Sequence, residues 1–292
     1  MNLLLLIFLY VVWGTTYTAI VYALPAFDPF TLAAWRFVVA GTFFIPFGQL
    51  SDWRWGQAWP HIIGGIGLAT GNALVVWSQT TMPSGLAALF VGSVPLWLIL
   101  MDWLFFSKTR PKLLAVLGCF VGLFGLYYLS IETGRDLSLR LSALALIVAS
   151  FSWSIGTLVI RYGGSQLKRK SALSIQLLSG GLFQFFIALC LGEKLLPRFE
   201  VLQWSHFFGW FYLVVFGSVA AMIVYNELLG KLDSAVIGTY ALANPIVALL
   251  LGHWLFSEVL KASTVLAGVC VLFGVALILL SGAKPRALKL SP

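Results

Sequence analysis

Residues 84–118 read SGLAALFVGSVPLWLILMDWLFFSKTRPKLLAVLG, and residues 234–268 read SAVIGTYALANPIVALLLGHWLFSEVLKASTVLAG. Laid over one another they hold one register: Ser84 falls on Ser234, Pro95 on Pro245, Phe106 on Phe256, Ser107 on Ser257 and Gly118 on Gly268. Earlier in the chain, Trp13 precedes Trp153 and Gly41 precedes Gly181 by 140 residues, against 150 for the later pairs. The ten-residue change fits extra chain between Glu193 and Trp204. Matched apolar residues carry little weight in a hydrophobic chain. Proline on proline and glycine on glycine carry more.

The chain around this repeat belongs in a bilayer. Of 292 residues, 60% are hydrophobic and 10% charged, with a mean hydropathy of +0.97. Soluble domains run at about 45–50% apolar and about 25% charged. The excess apolar surface is too large for a water-soluble core of this size to hide. That excludes an ordinary cytosolic enzyme, a disordered chain and a secreted disulfide scaffold. Cys119, Cys190 and Cys270 each sit in an apolar run without metal-ligand spacing, and read as small apolar residues. The net charge of +8 reads as a topology signal, not as a nucleic-acid surface.

A hydrocarbon core of ~30 Å takes about 20 helical residues to cross. Ten runs qualify: 3–23, 30–50, 61–81, 85–106, 113–131, 141–161, 172–192, 207–228, 235–256 and 263–281. They are apolar all round, whereas barrel strands alternate. The first lacks a charged leader segment and reads as a retained helix. The predicted fold is therefore an all-α integral membrane protein of ten transmembrane helices in two five-helix repeats, 1–132 and 140–282, followed by a short basic tail, 283–292. Five is odd, so the second repeat enters the membrane the opposite way, and the repeats are inverted.

With a cytoplasmic N-terminus, Arg54, Lys108, Arg110, Lys112, Arg161, Lys168, Arg169, Lys170, Lys231, Lys284, Arg286 and Lys289 lie inside. Arg135, Arg140, Lys194, Arg198 and Lys261 then lie outside. The excess of cations inside predicts both termini in the cytoplasm, and a bacterial inner (plasma) membrane is the expected location. Lys108 and Glu258 occupy equivalent positions, one inside and one outside, so the charge follows the side of the membrane. Inverted halves suit alternating access: two similar bundles rock about a site near the midplane.

Several features together resemble the EamA-type transporters of the drug/metabolite transporter superfamily. They are Trp13-Gly14-Thr15 in span one, Arg36 early in span two, and Pro83-Ser84-Gly85 leading into span four. Pro95, Pro245 and Phe256-Ser257-Glu258 followed by Gly268 and Gly274 complete the set. The resemblance covers nearly the whole chain, and its specificity is in order and spacing. It implies that the first four helices of each repeat surround a central cavity and the fifth is peripheral. It also implies export of amino acids or other small metabolites, or drug efflux; one branch exports aromatic amino acids. The chain departs from the family pattern at Lys108, often acidic there, and at Gln176, which stands opposite Arg36 in the second repeat.

Polar groups inside hydrocarbon are costly unless paired or facing water, which makes them candidates for the pathway. Asn72 and Gln79 share a face of span three, with Trp77 between them; they either line the pathway or bond between helices. Trp13, Thr16 and Tyr17 share a face of span one. Trp153 repeats Trp13, so the two indoles either wall a pocket or simply pack. Trp53, Trp55 and Trp59 read as a headgroup belt in a loop. Ser93 and Pro95 in span four, and Tyr240, Asn244 and Pro245 in span nine, mark paired kinks; the prolines are hinge candidates, freeing the carbonyls of Val91 and Ala241. The predicted substrate-binding set is thus Trp13, Thr16, Tyr17, Asn72, Trp77, Gln79, Ser93, Trp153, Tyr240 and Asn244.

Arg36, ~9 Å inside span two at 1.5 Å per residue, either snorkels outward or attracts an anionic group. Asp102, near the inner end of span four, either faces water near Lys108 and Arg110 or couples protons. Glu227 reads as a surface partner of Lys231, four residues on. His253 reads as an interfacial histidine or a pH-sensitive gate.

The sequence predicts no catalytic or metal centre, no cofactor and no nucleic-acid partner. It lacks the phosphate-cradling G-x-x-x-x-G-K-[ST], which argues against ATP-driven transport by this chain alone. The reading is a secondary transporter, an exporter of a small metabolite such as an amino acid or amphipathic compound. Its partners are the bilayer and that solute; proton coupling and a monomeric or homodimeric state stay open. The alternatives are a passive channel, a structural membrane subunit and, least supported, an intramembrane enzyme.

Overall fold

The computed structural model describes residues 2–48, 55–132, 136–232 and 234–281. Every regular element among them is helical, as a backbone in hydrocarbon requires: with no water to bond, each N–H and C=O finds its partner within its own segment. The first half comprises α1 (Asn2–Ala23), α2 (Pro29–Phe44), α3 (Trp55–Ser78), α4 (Ser84–Val91), α5 (Val94–Met101) and α6 (Leu113–Glu132). The second comprises α7 (Leu137–Tyr162), α8 (Arg169–Cys190), α9 (Trp204–Tyr212), α10 (Ala221–Leu229), α11 (Ser234–Ile237), α12 (Tyr240–Phe256) and α13 (Ala262–Leu280). Two π-helical segments, Asp102–Phe106 and Leu213–Ala220, follow α5 and join α9 to α10.

Among the described residues, seven helical stretches are long and apolar enough to cross a membrane: Asn2–Ala26, Pro29–Phe47, Trp55–Ser78, Ser84–Phe106, Leu137–Tyr162, Arg169–Cys190 and Trp204–Leu229. Three shorter apolar helices, Leu113–Gly125, Ala243–Phe256 and Ala262–Ile278, accompany them. The chain is an integral membrane protein. The basic tail, Trp53, Arg54, Arg135 and the last two residues of the second predicted span lie outside the described residues. Trp55 and Trp59, expected in a loop, stand on the first turns of α3, both exposed.

The expected span 85–106 is not one helix. Gly92 closes α4, its N–H reaching the carbonyls of Ala88 and Leu89, and Ser93 Oγ donates to Phe90 O at 2.8 Å. Pro95 then sits in the first turn of α5, where a missing N–H costs nothing. Pro245 behaves differently: it lies inside α12, which continues through it, and the break in that span comes earlier, at Gly238 and Thr239. The two prolines share a register but not a position in their helices: Pro95 opens one and Pro245 lies inside another.

Packing follows small residues, which let backbones approach where no hydrophobic force draws helices together. α2 lies on α8 through Gly41 and Gly181. A Cβ on Gly41 would stand 2.8 Å from the backbone of Leu178, and one on Gly181 2.8 Å from that of Val38. α3 crosses α7 and α8, α1 lies against α12 and α9, and α12 also meets α4. α6 and α13 pack on each other and turn Leu117, Phe120, Phe124, Val265, Val269 and Phe273 outward as an exposed apolar surface suited to lipid.

The extra chain after α8 docks on the start of α2. Glu193 accepts the N–H groups of Phe30 and Thr31 at 3.2 and 2.8 Å, and Asp28 accepts from the Lys194 N–H at 2.8 Å. Arg198 forms an ion pair with Asp28, and the Trp35 indole donates to Leu195 O at 2.8 Å. Orphan amides at a helix start attract carboxylates, which explains this arrangement.

Candidate functional site

Where the halves meet, α1, α2, α3, α7 and α12 enclose a cavity with about 60 Å³ of open volume. Trp13, Thr16, Tyr17, Arg36, Asn72, Trp153, Tyr240 and Asn244 all line it, so eight of the residues singled out in the sequence come together. Val91 and Val94 line it from either side of the break between α4 and α5.

Arg36 is the organising side chain. It stands halfway along α2, is 3% exposed, and does not reach outward to the membrane surface. Its Nε donates to Ser218 Oγ at 2.7 Å, Nη1 to Asn72 Oδ1 at 3.1 Å and Nη2 to the carbonyl of Gly217 at 3.0 Å. All three acceptors are neutral. Among the described residues no carboxylate pairs with Arg36, and the cavity lining holds no Asp or Glu.

Gly217 makes that geometry possible. It lies in the π-helical segment Leu213–Ala220, a type of insertion that recurs at functional sites. Its carbonyl accepts from Arg36 and also from Trp13 Nε1, at 3.1 Å. A Cβ at this position would stand 2.9 Å from both Arg36 Nη2 and Thr16 Cγ2, so a side chain here would push on both.

The aromatic wall is built on Trp13. Its ring meets Trp153 edge-on at 5.5 Å between centroids, Tyr240 at 4.4 Å and Tyr225 at 5.2 Å. Tyr225 is fully buried and its hydroxyl bonds Thr157 Oγ1 at 2.6 Å. Asn244 is 2% exposed, and its Oδ1 has no hydrogen-bond partner among the described residues. The site therefore offers one cation, amide groups and ring faces.

The remaining candidates fall elsewhere. Gln79 follows the end of α3, in a turn, and neither side-chain polar atom is bonded. Its two-turn separation from Asn72 carries it out of the cavity. Trp77 packs with Phe30, Ala33 and Ala73, and Ser93 Oγ is taken up by Phe90 O. Asp102 begins the π-helical turn after α5; its Oδ1 is buried without a partner, away from the cavity. Pro95 and Pro245 are not in the lining. Glu227 holds Lys231 at 2.5 Å, as expected, and also Arg169 at 3.1 Å. His253 lies at the exposed end of α12, with Nδ1 3.1 Å from Glu258 O.

Gly217, Ser218 and Tyr225 were not legible in the sequence. They lie in a largely apolar run, and nothing in its spacing announces a π-helical turn.

A membrane-embedded helical bundle around a central cavity that joins aromatic and polar side chains has the form of a transporter. A model of the EamA-like transporter family matches residues 1–131 and again residues 140–280, and the chain belongs to that family. It is 32% identical over 283 residues to the uncharacterized inner membrane transporter YedA of Escherichia coli strain K12, covering 93% of this chain and 88% of that protein. It is 25% identical over 273 residues to the protein PecM of Dickeya dadantii, covering 91% and 88%. A solved crystal structure with 20% sequence identity superposes with a TM-score of 0.73, covering 97% of this chain and 99% of the other; that likeness concerns the fold.

Proposed function

We propose that the protein is a secondary transporter that exports a small metabolite, such as an amino acid or another amphipathic compound, by alternating access about the central cavity. The seven long and three shorter apolar helices make ten spans in two inverted repeats, 1–132 and 140–282, with both termini in the cytoplasm of a bacterial cell and the spans in its plasma membrane.

The packing supports the inversion. Gly41 meets Leu178 while Gly181 meets Val38, and 41/181 and 38/178 are both pairs at the 140-residue spacing. A two-fold axis between α2 and α8 exchanges one contact for the other. Trp13 and Trp153, also equivalent, touch each other as residues close to such an axis do.

The observation that carries the function is the cavity itself. It lies between the halves, as a site for a rocking mechanism must, and joins aromatic walls to the polar cluster of Arg36, Asn72 and Asn244. The family and its relatives favour a transporter over an enzyme. The test is counterflow in proteoliposomes with a panel of amino acids and amphipathic compounds. Saturable exchange of at least one compound is expected. Well-folded protein that exchanges none, or flux that rises without saturation, overturns the proposal.

A further inference from the structure

Among the described residues the charge of Arg36 has no counter-charge. A guanidinium stays protonated in proteins and carries five N–H donors. Three are used by Ser218, Asn72 and Gly217. The other two, one on each terminal nitrogen, have no partner among the described residues. Neutral dipoles position the group and offset part of the cost of burying it, but a lone charge in a membrane interior normally faces an opposite charge or water. Arg36 lines the cavity, so the missing charge can arrive only through it.

We infer that the cavity recognises its solute by a carboxylate, and that the recognised class is a monocarboxylate carrying an aromatic or other apolar body. Two donors on adjacent nitrogens match the two oxygens of a carboxylate in a bidentate pair. One cation with no second beside it balances a single negative charge; a phosphate dianion would leave one charge uncompensated. The rings of Trp13, Trp153, Tyr17 and Tyr240 supply the apolar wall, which must part to admit such a body, because the cavity as it stands holds only about 60 Å³. Among the described residues no lining carboxylate meets an ammonium group; an amino acid's ammonium would find only neutral groups, Asn244 Oδ1, the hydroxyls of Thr16, Tyr17, Ser150 and Tyr240, and the ring faces. The ammonium is therefore dispensable, and the carboxylate is not. The inference rests on reading this cavity as the transport site.

The test uses the full-length protein in detergent and follows thermal stabilisation, which reports binding to the folded state by mass action. The probes are 3-phenylpropanoate, phenylalanine, phenylalaninamide, 2-phenylethylamine and 3-phenylpropanamide. Both carboxylates should stabilise, 3-phenylpropanoate at least as well as phenylalanine, and the three compounds without a carboxylate should not. Arg36→Lys should weaken carboxylate binding about tenfold or more, the worth of one charge-assisted hydrogen bond.

Because changes at Arg36 can harm folding, Asn72→Asp is the second variant. It sets a carboxylate against Nη1 and supplies the counter-charge internally. It should keep or raise the melting temperature of the ligand-free protein while abolishing the response to both carboxylates. Amides or amines that stabilise as well as the acids overturn the inference, as does a lack of response to either acid. So does an Asn72→Asp protein that binds carboxylates like the wild type. Counterflow separates this from the function proposed above. Exchange of amines or neutral compounds without exchange of acids removes the carboxylate assignment and leaves the transporter. Carboxylate binding without exchange of any compound does the reverse.

Discussion

The carboxylate of Glu258 caps the first turn of α4. Its Oε1 accepts from the Ser84 N–H at 2.8 Å and from Ser84 Oγ at 2.7 Å, and its Oε2 accepts from the Gly85 N–H at 3.1 Å. Glu258 follows α12 in the second half and α4 belongs to the first, so this cap also ties the two halves together. Glu193 does the same for α2. Losing a helix cap costs about 0.5–2 kcal/mol. Glu258→Ala is therefore expected to lower the melting temperature in detergent and to raise labelling of a cysteine placed in the cavity from the side on which Glu258 lies. An unchanged melting temperature together with unchanged labelling would mean that the contact holds nothing.

Glu227 provides the contrast. It meets Lys231 and Arg169, but at an exposed surface, where ion pairs are worth about 0–1 kcal/mol. Glu227→Ala should leave the melting temperature nearly unchanged and counterflow intact. A destabilisation matching that of Glu258→Ala would show that this cluster is structural.

Why were some of these relationships readable from the chain and others not? Ser84, Pro95 and Gly118 revealed the repeat because proline, with 11 residues in the chain, seldom aligns with itself by chance, and serine and glycine kept its register. Arg36, Asn72 and Asn244 could be singled out because a polar group in hydrocarbon needs a reason. Their convergence depends on how α2, α3 and α12 are rotated, which apolar periodicity does not fix when helices are apolar all round. Gln79 falls outside the cavity for a simpler reason: its N–H still bonds Val75 O, but two turns of helix, about 10 Å along the axis, separate it from Asn72. Gly217 and Ser218 stayed hidden because a π-helical turn shifts every later residue on its helix without leaving a compositional mark.

Gly217 is a sensitive position at the cavity. An added methyl would press on Arg36 Nη2 and Thr16 Cγ2, each 2.9 Å away, and disturb the carbonyl shared by Arg36 and Trp13. Overpacking of this kind costs about 1–3 kcal/mol. If it falls on the solute-bound state, affinity drops about fivefold to a hundredfold. Gly217→Ala should therefore impair binding strongly while the protein still inserts and purifies as a monodisperse species. Wild-type affinity in this variant would show that the guanidinium has more room than its contacts indicate.

The two repeat-equivalent prolines should respond differently to the same change. Pro95 stands in the first turn of α5, where no intrahelical N–H bond is lost, so Pro95→Ala should alter transport little. Pro245 stands inside α12, where proline is about 3 kcal/mol less favourable than alanine. It leaves the Ala241 carbonyl without its helical donor beside Asn244, and a Cβ on Gly92 would come within 3.4 Å of that carbonyl. Alanine at 245 restores the donor and stiffens the helix next to the break between α4 and α5. Pro245→Ala should thus raise the melting temperature and lower the maximal counterflow rate, with solute affinity largely kept. Equal effects from both substitutions would instead favour a common hinge role at equivalent points, and no effect from either would remove the prolines from the mechanism.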